Sequence, residues 1–183
     1  MTNLNPEPRT TNRSRTRTGH REGRRVNDTR EDRREYPERP IVGVGAVIVQ
    51  DGKVLVVKRK YEPLAGQWSL PGGTLELGET LQEGVAREMR EETGLEVEVG
   101  PVIEVFDRIM TDDARRVRYH FVLVDYLCWP VSGALQAGSD VDEAVFVDPG
   151  ALEPFDLTPK ALSVIDRALA LGQQAAPSPR QLA

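Results

Sequence analysis

The segment from Gly73 to Leu95 most strongly constrains how this chain folds, because it contains a helix whose two ends are both marked. Thr80, followed three residues later by Glu83, forms a capping-box pattern, which predicts that the helix begins there. Gly94 is a typical residue just past a helix C-terminus. Apolar residues recur every four positions between these ends: Leu81, Val85 and Met89. The segment therefore predicts one amphipathic helix with a buried stripe.

The same helix carries negative charge at its unfavourable end. Glu88, Glu91 and Glu92 are spaced i, i+3 and i+4, so they project from one face near the C-terminus. Carboxylates there oppose the helix dipole and repel each other, at a cost of roughly a few tenths of a kcal/mol each. A cation held between them would reverse that cost, and clustered oxygen ligands suit Mg²⁺ or Mn²⁺. The alternative is a solvated acidic face with Arg87 and Arg90 as intrahelical partners.

The residues around the carboxylates decide between these two interpretations. The chain fits the pattern GX5EX7REUXEEXGU, where U is an apolar residue. All fixed positions are occupied: Gly73, Glu79, Arg87, Glu88, Met89, Glu91, Glu92, Gly94 and Leu95. This pattern resembles the signature of the Nudix hydrolase family. Residues 68–73 (WSLPGG) are similar to the family's lead-in, and the resemblance extends from residue 41 to about residue 171.

Charge and hydropathy divide the chain into regions. Residues 1–40 contain 11 Arg and 7 acidic residues, a net charge of +4; the whole chain carries −5, which leaves −9 for residues 41–183. The first segment has almost no large apolar side chains, so it cannot bury enough surface to offset its ordering entropy. We therefore predict a disordered Arg-rich tail at 1–40, a folded domain at 41–172 and a loose C-terminal tail at 173–183.

Composition narrows the class of protein further. The chain has one cysteine, Cys128, which excludes an internal disulfide framework and favours a reducing, cytoplasmic compartment. No apolar run approaches the ~20 residues that a membrane span needs. The acids interspersed among the N-terminal arginines argue against nucleic acid as a partner. A homodimer is left open.

The order of predicted elements indicates an α+β fold. Strand patterns occur at 41–50, 53–59, 96–110 (bent at Gly100-Pro101), 117–127 and 144–147, and a short apolar segment occurs at 67–70. A closing helix is predicted to begin at Thr158-Pro159 and end at Gly172. Its predicted core stripe is Leu162, Ile165 and Leu169. Strands with one helix between them and another at the end form a sandwich. The Nudix resemblance implies an α/β/α sandwich around a mixed β-sheet.

The resemblance also implies a reaction, the attack of water on a pyrophosphate that joins a nucleoside diphosphate to another group, X. By that match Glu88, Glu91 and Glu92 bind Mg²⁺, or Mn²⁺, and the Gly72 carbonyl completes the coordination. Glu88 is also expected to position or deprotonate the water. Gly72 and Gly73 are expected to let the backbone approach metal and substrate phosphate closely.

Three further side chains complete the predicted site. Arg87 is expected to pair with Glu83 or Glu91, and the resemblance implies that it orients the loop and the carboxylates that bind metal. Arg59 ends a strand near the helix and is predicted to contact a substrate phosphate. The resemblance implies that an additional base or metal ligand can come from a loop far along the chain, and Glu143 is predicted to be that residue because it directly precedes the strand at 144–147. An acidic surface loop without such a role is the alternative.

The identity of the substrate is less constrained. A proline about sixteen residues past the signature marks one ADP-ribose-hydrolysing branch of the family, and none occurs between Pro101 and Pro130. The overall pattern still resembles small ADP-ribose or nucleoside triphosphate enzymes. We expect a Mg²⁺-dependent hydrolase of nucleotide pyrophosphates, with an ADP-ribose-like substrate favoured and a nucleoside triphosphate as the alternative. A non-catalytic nucleotide-binding regulator is a third class, which the intact glutamates argue against.

Overall fold

A computed structural model describes residues 34–175, which form one seven-stranded sheet with a helix on each face. The strands are β1 (Ile41–Gln50), β2 (Lys53–Arg59), β3 (Trp68–Ser69), β4 (Gly72–Thr74), β5 (Leu95–Thr111), β6 (Val117–Gly133) and β7 (Val141–Val147). The helices are α1 (Leu81–Thr93) and α2 (Pro159–Ala175), with short 3-10 turns at Pro149–Ala151 and Glu153–Phe155. Most of the two predicted tails, 1–40 and 173–183, lies outside the described residues.

Strand β1 is the centre of the sheet. It pairs in parallel with β6 along its first eight residues, from Ile41↔Phe121 to Ile48↔Cys128. On its other side it pairs antiparallel with β4 over 43–45 and with β2 at its last two residues. Strand β2 continues to β3 and β7, and β6 continues to β5 in a long hairpin. Parallel and antiparallel pairs occur together, which confirms the predicted mixed sheet.

The two faces of the sheet pack against different helices. On one face, buried residues of the sheet and α1 form a cluster that includes Val44, Ala46, Ile48, Val85, Met89, Tyr126 and Cys128. On the other, residues of the sheet and α2 form a second cluster that includes Val47, Val56, Leu127, Val164, Ile165 and Ala168. Because successive strand side chains point to opposite faces, alternate residues of β1 and β6 serve the two layers. The predicted α/β/α sandwich is confirmed.

Helix α1 has both predicted ends. The Thr80 side chain accepts a hydrogen bond from the Glu83 backbone, and the Glu83 side chain accepts one from the Thr80 backbone. Gly94 adopts the left-handed conformation, with φ of 70°. Val85 and Met89 are fully buried, and burying such side chains contributes about 1.5–3 kcal/mol each. That gain exceeds the few tenths that the acidic C-terminal end costs, so packing keeps this helix in place.

Strands β5 and β6 form a single long hairpin rather than the shorter strands predicted. The predicted strand at 96–110 extends from 95 to 111, with irregular pairing between Val99 and Val102. The predicted strand at 117–127 continues to Gly133, because Gly133 pairs with Leu95 at the far end. Cys128 is fully buried in this strand, and burial raises the pKa of its thiol to about 12. A buried thiol that stays protonated is typical of a cysteine that packs in the core and is not a nucleophile.

Helix α2 begins as predicted but packs and ends differently. The Thr158 hydroxyl accepts a hydrogen bond from the Ala161 amide at 3.2 Å, which confirms the predicted cap. The predicted stripe was wrong at Leu162, which is 39% exposed. The buried positions are Ala161, Val164, Ile165 and Ala168. Ile165 of the expected stripe is buried and Leu169 packs against the same cluster, so the buried side of the helix is rotated away from Leu162 alone toward Ala161, Val164 and Ala168. Gly172 does not end the helix, which continues to Ala175.

Between residues 34 and 175, no helix combines the length and apolar character needed to cross a membrane.

Replacing Gly94 with alanine should destabilise the fold. A side chain in the left-handed region costs about 1–2 kcal/mol, and a methyl group here would also lie 2.8 Å from the Ala134 carbonyl oxygen. We expect Gly94→Ala to lower the free energy of unfolding by about that amount, as measured by urea denaturation. Gly150→Ala is the matched control, because Gly150 is exposed and its nearest contact would lie at 3.4 Å. Equal effects of the two substitutions would contradict the proposed strain.

Candidate active site

Strand β4 lies directly against the carboxylates of α1. Gly72 has a φ of 151°, and any side chain there would overlap the Val44 carbonyl oxygen of β1. A methyl group at Gly73 would overlap the Glu88 carboxylate. The Gly72 amide donates a hydrogen bond of 2.8 Å to Glu92 Oε2. Close packing therefore requires glycine at both positions. The neighbours observed are the carboxylates of α1 and the backbone of β1, whereas the sequence predicted an approach to metal and phosphate.

Arg87 organises the acidic face of α1. Its Nε and Nη2 donate to the two Glu79 carboxylate oxygens at 2.6 and 3.0 Å, and Nη2 also donates to the Thr74 carbonyl at 3.0 Å. Nη1 donates to Glu88 at 2.7 Å and to Glu91 at 3.2 Å. This planar fork connects α1 to β4 and to the loop before the helix, which a lysine could not do. Of the two predicted partners, Glu91 is confirmed.

Hydrogen bonding and burial shift the acids of this face in opposite directions. The hydrogen bond from Arg87, followed by one from the Glu76 backbone, lowers the pKa of Glu79 to about 2. Burial raises the pKa of Glu92 to about 8, although the Gly72 amide opposes that shift. Burial likewise raises the pKa of Glu88, against the opposing effect of Arg87. Glu88 and Glu92 are only 9% and 7% exposed, so two carboxylates are held where ionisation is unfavourable without added positive charge.

These carboxylates line an open cavity between α1, β4 and the loop before β7. Its lining includes Arg34, Arg59, Gly72, Gly73, Glu88, Glu91, Glu92 and Asp140. Within residues 34–175, no three acidic, histidine or cysteine side chains converge as ready metal ligands. Glu88 is turned toward Arg87 and Glu92 toward the Gly72 amide. The donor set nevertheless fits a divalent cation, because it consists of carboxylate and carbonyl oxygens, and a cation would offset the burial of both charges.

The loop between β6 and β7 brings Asp140 to this cavity. The Gln136 amide donates to the Thr93 carbonyl and the Gly138 amide to the Glu92 carbonyl, both at 2.9 Å. These bonds satisfy carbonyls that the end of α1 leaves without helical partners. Gly138 passes so close that a side chain there would overlap the Glu91 carbonyl oxygen. The loop is thus tied to the helix, and Asp140 follows two residues later.

The structure does not bring Glu143 into the cavity. Glu143 lies on β7 opposite Lys58 of β2, and its carboxylate accepts a 2.9 Å hydrogen bond from Lys58 Nζ. Its side chain is 58% exposed. The acidic loop does reach the cavity, but through Asp140 rather than the predicted Glu143. The strand begins at Val141 rather than 144, so Glu143 belongs to the ladder and Asp140 to the cavity. Arg59 lines the cavity, and its Nε donates to the Pro63 carbonyl at 3.1 Å.

A second cavity lies on the other side of β4, between the sheet and the start of α2. Its lining includes Phe106, Arg108, Phe121, Leu123, Asp125, Thr158 and Lys160. It shares Arg34, Arg59, Gly72, Gly73 and Thr74 with the first cavity, so the two are continuous along this edge. Sequence reasoning missed Asp125 and Arg108. The available signal was a charged residue within the apolar run of residues 121–128.

Comparison with known proteins identifies the family. The family model described as NUDIX domain matches residues 39–168. The chain therefore belongs to the Nudix family, as its signature predicts. It is 39% identical over 109 residues to a protein of Methanocaldococcus jannaschii named ADP-ribose pyrophosphatase, covering 60% of this chain and 62% of that protein. The chain spans about three fifths of the length of the first curated relatives that it matches.

Two further comparisons cover most of the matched protein. The CTP pyrophosphohydrolase of Escherichia coli is 30% identical over 132 residues, which are 70% of this chain and 90% of that protein. The crystal structure of a MutT NUDIX hydrolase from Burkholderia pseudomallei superimposes with a TM-score of 0.62 at 34% identity, covering 71% of this chain and 98% of that one. Both the sequence and the fold therefore support the family assignment.

The paired state of Glu79 should make stability sensitive to acid. Its pKa is lowered to about 2 in the folded protein, so its stabilising contribution is complete above the unfolded value of about 4.3 and is lost as pH falls toward 2. We expect urea midpoints of the wild type to fall more steeply between pH 5 and 3 than those of Glu79→Gln. Glu98→Gln, on the exposed side of β5, should follow the wild type. Parallel curves for the wild type and Glu79→Gln would disprove this contribution.

Proposed function

We propose that this protein is a Mg²⁺-dependent hydrolase that cleaves the pyrophosphate bond of a nucleoside diphosphate linked to X, with an ADP-ribose-like substrate favoured. The observation that carries the proposal is the pair of buried carboxylates, Glu88 and Glu92, packed against the glycines of β4 in a cavity that Arg59 also lines. Buried acids of this kind need positive charge nearby, and a divalent cation together with a diphosphate supplies a matched set of charges.

The metal would be held by Glu88, Glu91 and Glu92, with the Gly72 carbonyl as a further ligand. Mg²⁺ is proposed, and Mn²⁺ accepts the same oxygen ligands. When bound, the cation would screen the negative charge of the pyrophosphate and polarise the phosphorus that is attacked. Arg87 acts as a positioning residue, because one guanidinium restrains Glu88, Glu91 and the loop at Glu79.

The side chains of the cavity can carry out the remaining steps. A carboxylate, Glu88 or Asp140, accepts a proton from the attacking water. The water oxygen forms a bond to phosphorus as the bridging P–O bond breaks, and the departing phosphate carries the electron pair. Arg59 and Arg34 lie where the two cavities join, so they can neutralise the phosphates on both sides of that bond. The second cavity then receives the nucleoside or the X group.

Relatives support two substrate classes. The Methanocaldococcus protein named ADP-ribose pyrophosphatase supports a substrate with groups on both sides of the diphosphate, and two continuous cavities provide room for both. The Escherichia coli protein named CTP pyrophosphohydrolase matches over 90% of its length, which supports a nucleoside triphosphate as the second candidate. The products separate the two, because ADP-ribose yields AMP and ribose 5-phosphate, whereas a triphosphate yields pyrophosphate.

Loss of a single carboxylate of α1 should abolish most of the activity. Purified protein is incubated with Mg²⁺ and a panel of nucleotide pyrophosphates, and the products are resolved by chromatography. Loss of a metal ligand removes both binding and orientation, so we expect Glu91→Gln and Glu92→Gln to lower kcat/KM by about 100-fold or more. Mn²⁺ affinity, measured by calorimetry, should fall as well.

Glu98→Gln is the control, because this glutamate lies exposed on β5 and outside the lining of either cavity. Its turnover and Mn²⁺ affinity should equal those of the wild type. Undiminished turnover in the α1 variants would refute the metal site. Absence of turnover with every nucleotide in the panel would refute the hydrolase itself and favour a nucleotide-binding regulator.

Asp140 and Glu143 can be separated by a second pair of variants. Asp140 lines the cavity, and its negative charge helps to raise the pKa of both Glu88 and Glu92. Glu143 is instead paired with Lys58. We expect Asp140→Asn to lower kcat by about tenfold or more and to change the pH profile of kcat. Glu143→Gln should leave both unchanged. The reverse ranking would restore Glu143 as the functional acid of this loop.

A further inference from the structure

The second cavity contains an acidic and a basic side chain that form no hydrogen bond or ion pair with any described residue. Asp125, in the middle of β6, is only 6% exposed, and the half-buried Arg108 comes from the adjacent strand β5. No hydrogen bond or ion pair within 4.0 Å joins either side chain to another residue between 34 and 175. Arg108 and Asp125 both line the cavity, and between residues 34 and 175 neither has a polar atom that is fully enclosed without a partner, so a ligand in the cavity can supply the missing hydrogen bonds.

The charged side chains next to Asp125 already pair with one another. Glu104 faces Asp125 across the β5–β6 pair, and it accepts a 2.5 Å hydrogen bond from Lys160 and lies 3.2 Å from Arg167. Lys160 also lies over the Phe106 ring, with Nζ 4.5 Å from its centre. Lys160 and Arg167 therefore pair with Glu104, and Asp125 is left with the longer-range influence of Arg108 and Lys160.

The backbone makes room for the Asp125 carboxylate. Gly45 of β1 lies directly opposite Asp125 in the parallel pairing, and a methyl group at position 45 would overlap Asp125 Oδ1. Gly43, two residues earlier, similarly leaves space for Leu123, because a methyl group there would lie 2.6 Å from its Cδ2. Since strands rarely place glycine at such interior positions without a close contact, this part of β1 accommodates the floor of the cavity.

The two groups define what a ligand must present. Burial raises the pKa of Asp125 to about 6, and the nearby Arg108 opposes that rise. At pH 8 the carboxylate is therefore ionised and can only accept hydrogen bonds, whereas the guanidinium can only donate. A ligand that satisfies both needs an N–H or O–H donor with an acceptor beside it. Phe106 and Phe121 line the same cavity, and such rings favour a flat partner.

We propose that Asp125 and Arg108 make this cavity selective for nucleotides whose base carries an exocyclic amino group. Adenine, guanine and cytosine each present an amino donor close to a ring nitrogen or carbonyl acceptor. Deamination replaces each amino group with a carbonyl oxygen and moves the N–H donor to the adjacent ring nitrogen. At the position of the amino group, the lone pairs of that oxygen would face the carboxylate. This inference rests on the proposed function only in assigning the second cavity to the nucleoside end of the substrate.

Binding of nucleoside monophosphates tests the inference without hydrolysis. Titration calorimetry of the full chain at pH 8 with Mg²⁺ compares AMP with IMP and CMP with UMP, because the bases of each pair are uncharged at this pH. We expect the amino form of at least one pair to bind about tenfold or more tightly than its deaminated partner. Asp125→Asn should reduce that ratio to near one, because an amide can turn either its oxygen or its nitrogen toward the base. Arg108→Gln should weaken both members of the pair.

The control variant is Asp107→Asn, since Asp107 belongs to the same strand as Arg108 but its side chain is 64% exposed, near His120. It should preserve the wild-type ratio, and thermal unfolding verifies that each variant is folded. Equal binding of all paired nucleotides to the wild type, or an unchanged ratio in a folded Asp125→Asn protein, would overturn the inference. A third outcome would also overturn it: the wild type shows no amino-group preference but prefers AMP to dAMP, and Asp125→Asn loses that preference. The carboxylate would then contact the ribose and not the base.

The outcome is separable from that of the proposed function. Selective binding without hydrolysis of any pyrophosphate would support the role of Asp125 and refute the hydrolase. Hydrolysis without base selectivity would leave the hydrolase standing and refute the role of Asp125.

Discussion

The close contact between β4 and α1 is the constraint on which the rest of this structure depends. Gly72 and Gly73 leave no space for side chains, so the peptide backbone lies directly against Glu88 and Glu92. Helix α1 is held in that position by Val85 and Met89, which are fully buried against the sheet. Apolar burial thus supplies the free energy that holds two carboxylates in a buried position, although both would be better stabilised in water.

Charge compensation divides the acidic groups into two kinds. Glu79 is fully engaged by Arg87, and its pKa is lowered accordingly. Glu92 and Asp125 are buried with too few donors, and their pKa values are raised to about 8 and about 6. The first kind fastens the helix to its surroundings. The second kind lines the two cavities, where the missing partners could arrive from solution.

The predictions from sequence succeeded where they depended on local chemistry. The ends of α1 follow from a capping box and a left-handed glycine, and the start of α2 follows from a threonine cap before proline. The signature glutamates and Arg87 lie within one helix and a short preceding loop, so their mutual positions follow from helical spacing. The mixed sheet and its two helical layers follow from the order of strands and helices together with the resemblance to the Nudix family.

Other features depended on contacts between distant segments. The buried side of α2 includes Ala161 and Ala168 and leaves Leu162 exposed, because tertiary packing decides which side of the helix meets the sheet. Asp140 rather than Glu143 lines the cavity, because the loop is hydrogen-bonded to the end of α1 and β7 starts three residues early. The sequence by itself determined the acidic helix, its caps and its family. Only the tertiary structure decided which acids are buried, which are paired, and that Asp125 and Arg108 line one cavity, because burial and pairing arise between strands and loops far apart in the chain.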